Sequence, residues 1–107
     1  MIINICKEFS ETPGARYISE GEHSGEEFRE NYLIPCFEKA KEQGEKLVIE
    51  LDGGYGYPTS FLEEAFGGLA RIENPDVVLS ILSFVSEDEP SLIEEIQGYI
   101  KNARVKK

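Results

Sequence analysis

The chain alternates short, nearly unbroken apolar runs with longer stretches in which apolar residues return every three or four positions. Residues 2–6 carry β-branched weight at Ile2, Ile3 and Ile5 and read as a strand. Turn chemistry follows at Ser10-Glu11-Thr12-Pro13-Gly14, and residues 16–19 read as a second, antiparallel strand. Ser24-Gly25-Glu26-Glu27 has capping-box spacing, and Phe28, Tyr32, Leu33, Cys36, Phe37 and Ala40 then mark one helical face. Pro35 falls inside that face and predicts a kink or two consecutive helices, and Gly44 closes the segment. Residues 47–51, LVIEL, are apolar enough for a central strand buried on both faces. Residues 52–58, DGGYGYP, form a loop. Ser60 to Glu63 repeats the capping-box spacing ahead of a stripe at Phe61, Leu62, Ala65, Phe66, Leu69 and Ile72. Asn74-Pro75 stops that helix, residues 77–85 read as a second rich strand, and a last helix carries Leu92, Ile93, Ile96, Ile100 and Ala103. The order is β-β-α-β-α-β-α. The strand-helix-strand unit between residues 47 and 85 predicts an α/β fold with a mixed, mainly parallel sheet.

The 107 residues suit a single domain spanning 1–107. The net charge of −10 is unevenly spread. Residues 101–107 form a short basic tail with Lys101, Arg104, Lys106 and Lys107, while residues 1–100 hold 21 acids against 7 bases, a balance of −14. A body of that sign repels phosphate backbones, so no nucleic-acid partner is expected. No apolar run approaches the roughly 20 residues of a membrane span, the first residues lack the pattern of a secretory signal, and Cys6 and Cys36 suggest no disulfide framework. The expectation is a cytoplasmic protein with no membrane role.

Candidate chemistry concentrates in residues 52–68. The glycines of Gly53-Gly54-Tyr55-Gly56 permit a tight turn or a close backbone approach, yet neither phosphate-binding fingerprint is present. Thr59 and Ser60 are hydroxyls at a helix mouth, where Ser60 is expected to cap the helix and is a candidate phosphate acceptor. His23 is the sole histidine and has no partner for a metal site. The carboxylate pairs Glu26/Glu27, Glu63/Glu64 and Glu94/Glu95 suit helix first turns. No nucleophile-base pair and no metal or cofactor site emerges, so catalysis is not expected. Gly67-Gly68 inside a helix costs about 1 kcal/mol per residue in propensity and predicts close packing there.

The segment LVIELDGGYGYPTSFLEEAFGGL, residues 47–69, resembles the strand-loop-helix signature of STAS domains. It is closer still to a small STAS-like family of uncharacterised function, which starts with a piece similar to residues 24–29 and centres on one similar to residues 60–69. In bacterial anti-sigma-factor antagonists, the second serine of an Asp-Ser-Ser-Gly turn is phosphorylated by a serine kinase of the GHKL ATPase class. An ungapped match puts Ser60 on that serine and Thr59 on the one before it, with Pro58 replacing the aspartate and Phe61 the glycine. The resemblance implies a regulatory module that docks on such an ATPase. The contact would use Gly53, Gly54, Tyr55, Gly56, Tyr57, Pro58, Phe61, Glu63 and Glu64, with Ser60 or Thr59 as the switch. The alternative is a small-molecule or nucleotide-binding domain using loop 53–56 and the amides opening the second helix.

Overall fold

The computed structural model describes residues 1–103. Three strands, β1 (Ile2–Asn4), β2 (Leu47–Glu50) and β3 (Leu82–Val85), form one parallel sheet with β2 in the middle. The register sets Ile3, Ile49 and Phe84 side by side and Leu47 beside Leu82. These residues and Leu51 face the core, whereas Ile2, Val48, Ser83 and Val85 on the other face stay half-buried or exposed. Thus β2 alternates rather than being buried on both faces, and the main core lies on one side of the sheet.

The first helical turn, α1 (Ile5–Glu8), is capped by Asn4, whose side-chain oxygen accepts from Lys7 N. Residues 25–43 are continuously helical: α2 (Gly25–Phe28), a π turn over Arg29–Leu33, and α3 (Ile34–Gln43). Ser24 is the N-cap as predicted, accepting from Glu27 N at 3.0 Å. The kink expected at Pro35 takes the form of the π turn. Proline has no N–H for the carbonyl of Asn31, and the wider turn just ahead of it, in which Ile34 N bonds Arg29 O, absorbs the mismatch. Gly44 closes α3 in the left-handed conformation. The second run has the same build: α4 (Thr59–Leu62), a π turn over Glu63–Gly67, and α5 (Gly68–Glu73). Then come α6 (Pro75–Ile81), β3 and α7 (Ser91–Lys101). No helix among the described residues is long and apolar enough to cross a membrane.

Three further sequence expectations need correction, the first being the strand over residues 2–6, of which residues 5 and 6 open α1. Residues 16–19 form no strand, so the described sheet is wholly parallel rather than mixed. Gly25 N and Glu26 N bond the carbonyls of Ala15 and Arg16, which pins that segment to the start of α2, and Ile18–Glu20 makes a 3-10 turn. Residues 77–81 are helical, and only 82–85 are strand. The Asn74-Pro75 pair that ends α5 also starts α6: Asn74 Oδ1 accepts from Asp76 N at 2.8 Å, and Pro75 stands at the first helical position. Of the basic tail, Lys101 ends α7, and Arg104, Lys106 and Lys107 lie outside the described residues.

The core is aromatic at its centre. The Phe28 ring lies 5.3 Å from Phe9, 5.9 Å from Phe61 and 6.2 Å from Phe66, centroid to centroid. The two π-containing helices meet through glycine: a Cβ on Gly25 would stand 2.5 Å from the carbonyl oxygen of Phe61. A backbone oxygen cannot swing aside, so Gly25→Ala must push α2 from α4. We expect it to destabilise by about 1–3 kcal/mol in urea unfolding. A change within 0.5 kcal/mol, roughly that of an ordinary surface substitution, would show that the helices part freely.

Candidate functional site

The loop that follows β2 is held from behind at several points. Leu51 N makes the last sheet bond, to Val85 O at 2.9 Å. The two carboxylate oxygens of Asp52 accept from Glu87 N and Asp88 N, each at 2.9 Å, and so tie this loop to the loop after β3. Those amides, Glu87 first, hold the Asp52 carboxyl below the usual range. The Tyr57 hydroxyl donates to Leu51 O at 2.7 Å and lies 3.4 Å from Cys6 Sγ. Burial and then the thiol push the Tyr57 phenol well above its ordinary pKa. Gly54 presses on that sulfur so closely that an added Cβ would be 2.6 Å away, and Tyr55 N donates to Glu11 O. Gly53 and Gly56 take φ of 102° and 114°, a region that side chains rarely adopt. On this braced loop Tyr55 is 85% exposed.

The hydroxyls beyond it are not caps. Pro58, with extended backbone and no side-chain hydrogen bond, is the N-cap of α4, and its carbonyl accepts from Phe61 N and Leu62 N. Thr59 and Ser60 are the first two helical residues, Thr59 exposed and Ser60 half-buried. The expected box between Ser60 and Glu63 fails because Glu63 has stronger partners. Its carboxylate takes Arg71 Nη1 at 2.6 Å and Arg16 Nη1 at 2.5 Å, and charge-assisted bonds outweigh a bond to a neutral amide. Arg71, then Arg16, hold the Glu63 carboxyl below its ordinary value. Tyr99 of α7 stands beside Thr59, its hydroxyl donating to Glu95 at 2.7 Å.

Glu64 points inward as well. Arg29 and Glu64, one from each π turn, are both 8% exposed. Arg29 Nη1 donates to Glu64 Oε2 at 2.5 Å and to Glu64 O at 2.9 Å. Gly68 makes this possible, since a Cβ there would sit 2.5 Å from Arg29 Nη1. The close packing that Gly67-Gly68 predicted is therefore packing against ion-pair side chains, Gly68 on Arg29 and Gly67 on Glu63 and Arg71. Phe61 is fully buried. Of the candidate contact residues, the loop 53–58 and Thr59 lie at the surface, while Phe61 and Glu64 support it from the interior. The network of Arg16, Arg29 and Arg71 with Glu63 and Glu64 was not visible in sequence, because its members come from distant segments; the helical glycines were the one local sign of it.

Two depressions matter. One of about 380 Å³ is lined by Arg29, Glu64, Gly68, Arg71 and Ile72, and its charges are already matched within the chain. Another of about 210 Å³ lies between the loops after β2 and β3, with Tyr55, Tyr57, Asp52, Asp88 and Glu89 around it. This cleft lies outside the carboxyl ends of the strands, where open α/β sheets place ligands. A nucleotide phosphate would meet carboxylates there and no basic side chain among the described residues. Among the described residues no cluster of three metal-ligating side chains forms.

Comparison with curated proteins gives no match, and neither does comparison with solved structures. Residues 24–92, more than half of the chain, match the family described as STAS-like domain of unknown function (DUF4325). The match runs from the Ser24 cap through both π turns and the braced loop to the start of α7. The chain belongs to this family of STAS-like domains.

Proposed function

We propose that this domain is a cytosolic regulatory module that works by protein contact rather than catalysis, docking on an ATPase of the GHKL serine-kinase type through residues 53–60. The observation that carries the reading is Tyr55, an aromatic 85% exposed on a loop fixed by hydrogen bonds at Asp52, Tyr57 and Glu11. Tyrosine is over-represented among the residues that dominate binding energy, and a loop already held in place loses little entropy on docking. Ser60 is the candidate switch. Its hydroxyl makes no cap, so phosphorylation would cost α4 no capping bond. A phosphate there would be desolvated when a partner covered it, within an acidic body.

Titration calorimetry against purified GHKL-class serine-kinase ATPases tests this. Tyr55→Ala should weaken binding at least tenfold, about 1.4 kcal/mol, with an unchanged melting temperature. Ser60→Ala should bind as the parent does, and Ser60→Asp at least tenfold more weakly. Equal affinities of the two Ser60 variants would remove the switch, and an unaffected Tyr55→Ala would remove the docking surface.

A further inference from the structure

The cleft between the two loops has a lining that selects one kind of occupant. Its lining includes the apolar Leu51 and Leu92 and the exposed Tyr55. Asp88 and Glu89 also line it, and their carboxylates have no ion-pair partner among the described residues. Asp52 adds a third negative charge, and no basic residue among the described residues lines the cleft. The loop bearing the acids is fixed, since Asp52 takes the amides of Glu87 and Asp88 and Ser86 Oγ donates to Glu89 O at 2.8 Å. A volume of about 210 Å³ is below the roughly 300–1,000 Å³ of clefts that enclose whole small-molecule ligands. One long side chain suits it better.

We infer that this cleft receives an arginine side chain of the protein partner, a step that rests on the docking role proposed for loop 53–60. The aliphatic stem would lie over Leu51 and Leu92, as the stems of long basic side chains do on apolar surface. The guanidinium would reach Asp88 and Glu89 with the Tyr55 ring against its face. Arginine fits better than lysine because its planar fork both stacks on rings and bonds two carboxylate oxygens at once. The charge of the whole body, −14 over residues 1–100, draws a basic partner surface toward this end. Two features that the fold does not need are thereby explained: a ring left in solvent, and acids with no cation beside them among the described residues.

The test uses the intact, isotope-labelled protein and three blocked peptides, acetyl-Gly-Arg-Gly-amide and its lysine and citrulline counterparts, followed by amide chemical shifts. The arginine peptide should give saturable shifts confined to residues 51–57 and 86–92. Its dissociation constant should be at least threefold lower than that of the lysine peptide, and the uncharged citrulline peptide should give no saturation. Asp88→Asn combined with Glu89→Gln should abolish the arginine response while leaving the melting temperature unchanged. Equal binding of arginine and citrulline, shifts spread over the whole acidic surface, or a response that survives the double substitution would each overturn the inference. No ATPase enters this experiment. A confined arginine response together with absent ATPase binding would sink only the choice of partner class, and ATPase binding without an arginine response would sink only the arginine.

Discussion

Replacing Arg29 by methionine should destabilise the domain by about 3–5 kcal/mol, the cost of leaving one member of a buried ion pair alone. Arg29 sends Nη1 to both the carboxylate and the carbonyl of Glu64, from a position 8% exposed. Without it, the Glu64 carboxylate keeps only the more distant guanidinium groups of Arg16 at 3.3 Å and Arg71 at 3.9 Å. The loss falls where the two π turns face each other, so the seam between the long helices loosens with it. The pair is not worth its full Coulomb energy, because both ions were stripped of water to form it, and Arg29 Nε is buried with no partner among the described residues. Removing both charges should therefore cost far less than removing one: Arg29→Met with Glu64→Leu is expected to recover at least half of the single-variant loss. Urea unfolding of the two proteins decides the matter. A loss under about 1 kcal/mol for Arg29→Met, no more than a neutral hydrogen bond commonly contributes, would mean that water reaches the pair.

The parts of this fold that local patterns control were legible in the sequence. The central strand, both long helices, the Ser24 cap and the Gly44 terminus each follow from residues within one turn or one strand of one another. The structure departs from the pattern where a distant partner, or a cap stronger than the local propensity, decided the outcome. Residues 16–19 look extended, but Arg16 is drawn to Glu63 and Glu64, more than 40 positions later, and the segment binds α2 instead of the sheet. Residues 77–81 are β-branched and strand-like, yet Asn74 and Pro75 initiate a helix that runs through them. Their propensity was outweighed by the cap and by the burial of Val78. The site divides in the same way. Its glycines, Tyr55 and the hydroxyls at 59–60 could be picked out from the chain alone. The acidic wall at 88–89 could not, because it joins the loop only once β2 and β3 are neighbours and Asp52 has captured the amides of Glu87 and Asp88.

Phe61 separates the contact surface from its support. It was a candidate contact residue because it follows Ser60, but its side chain is fully buried among Phe9, Phe28 and Tyr57, with ring centroids 5.9 to 6.1 Å away. Phe61→Ala should cost about 3–5 kcal/mol, through lost burial and the cavity left beneath α4. For a domain of this size that lowers Tm by more than about 10 °C. The cavity would not collapse easily, since the Phe61 backbone is held by the close approach of Gly25 on one side and by the Pro58 carbonyl on the other. Phe61→Leu keeps the site apolar and most of its volume, so it should cost roughly 1–2 kcal/mol, near the range of hydrophobic swaps that preserve much of the volume. Tyr55→Ala, by contrast, should leave Tm unchanged. Thermal melts of the three variants give that order of stability if loop 53–60 is a surface laid over an aromatic core. A Phe61→Ala protein as stable as the parent would mean that Phe61 spends its time outside the core, available to a partner, and would return it to the contact surface.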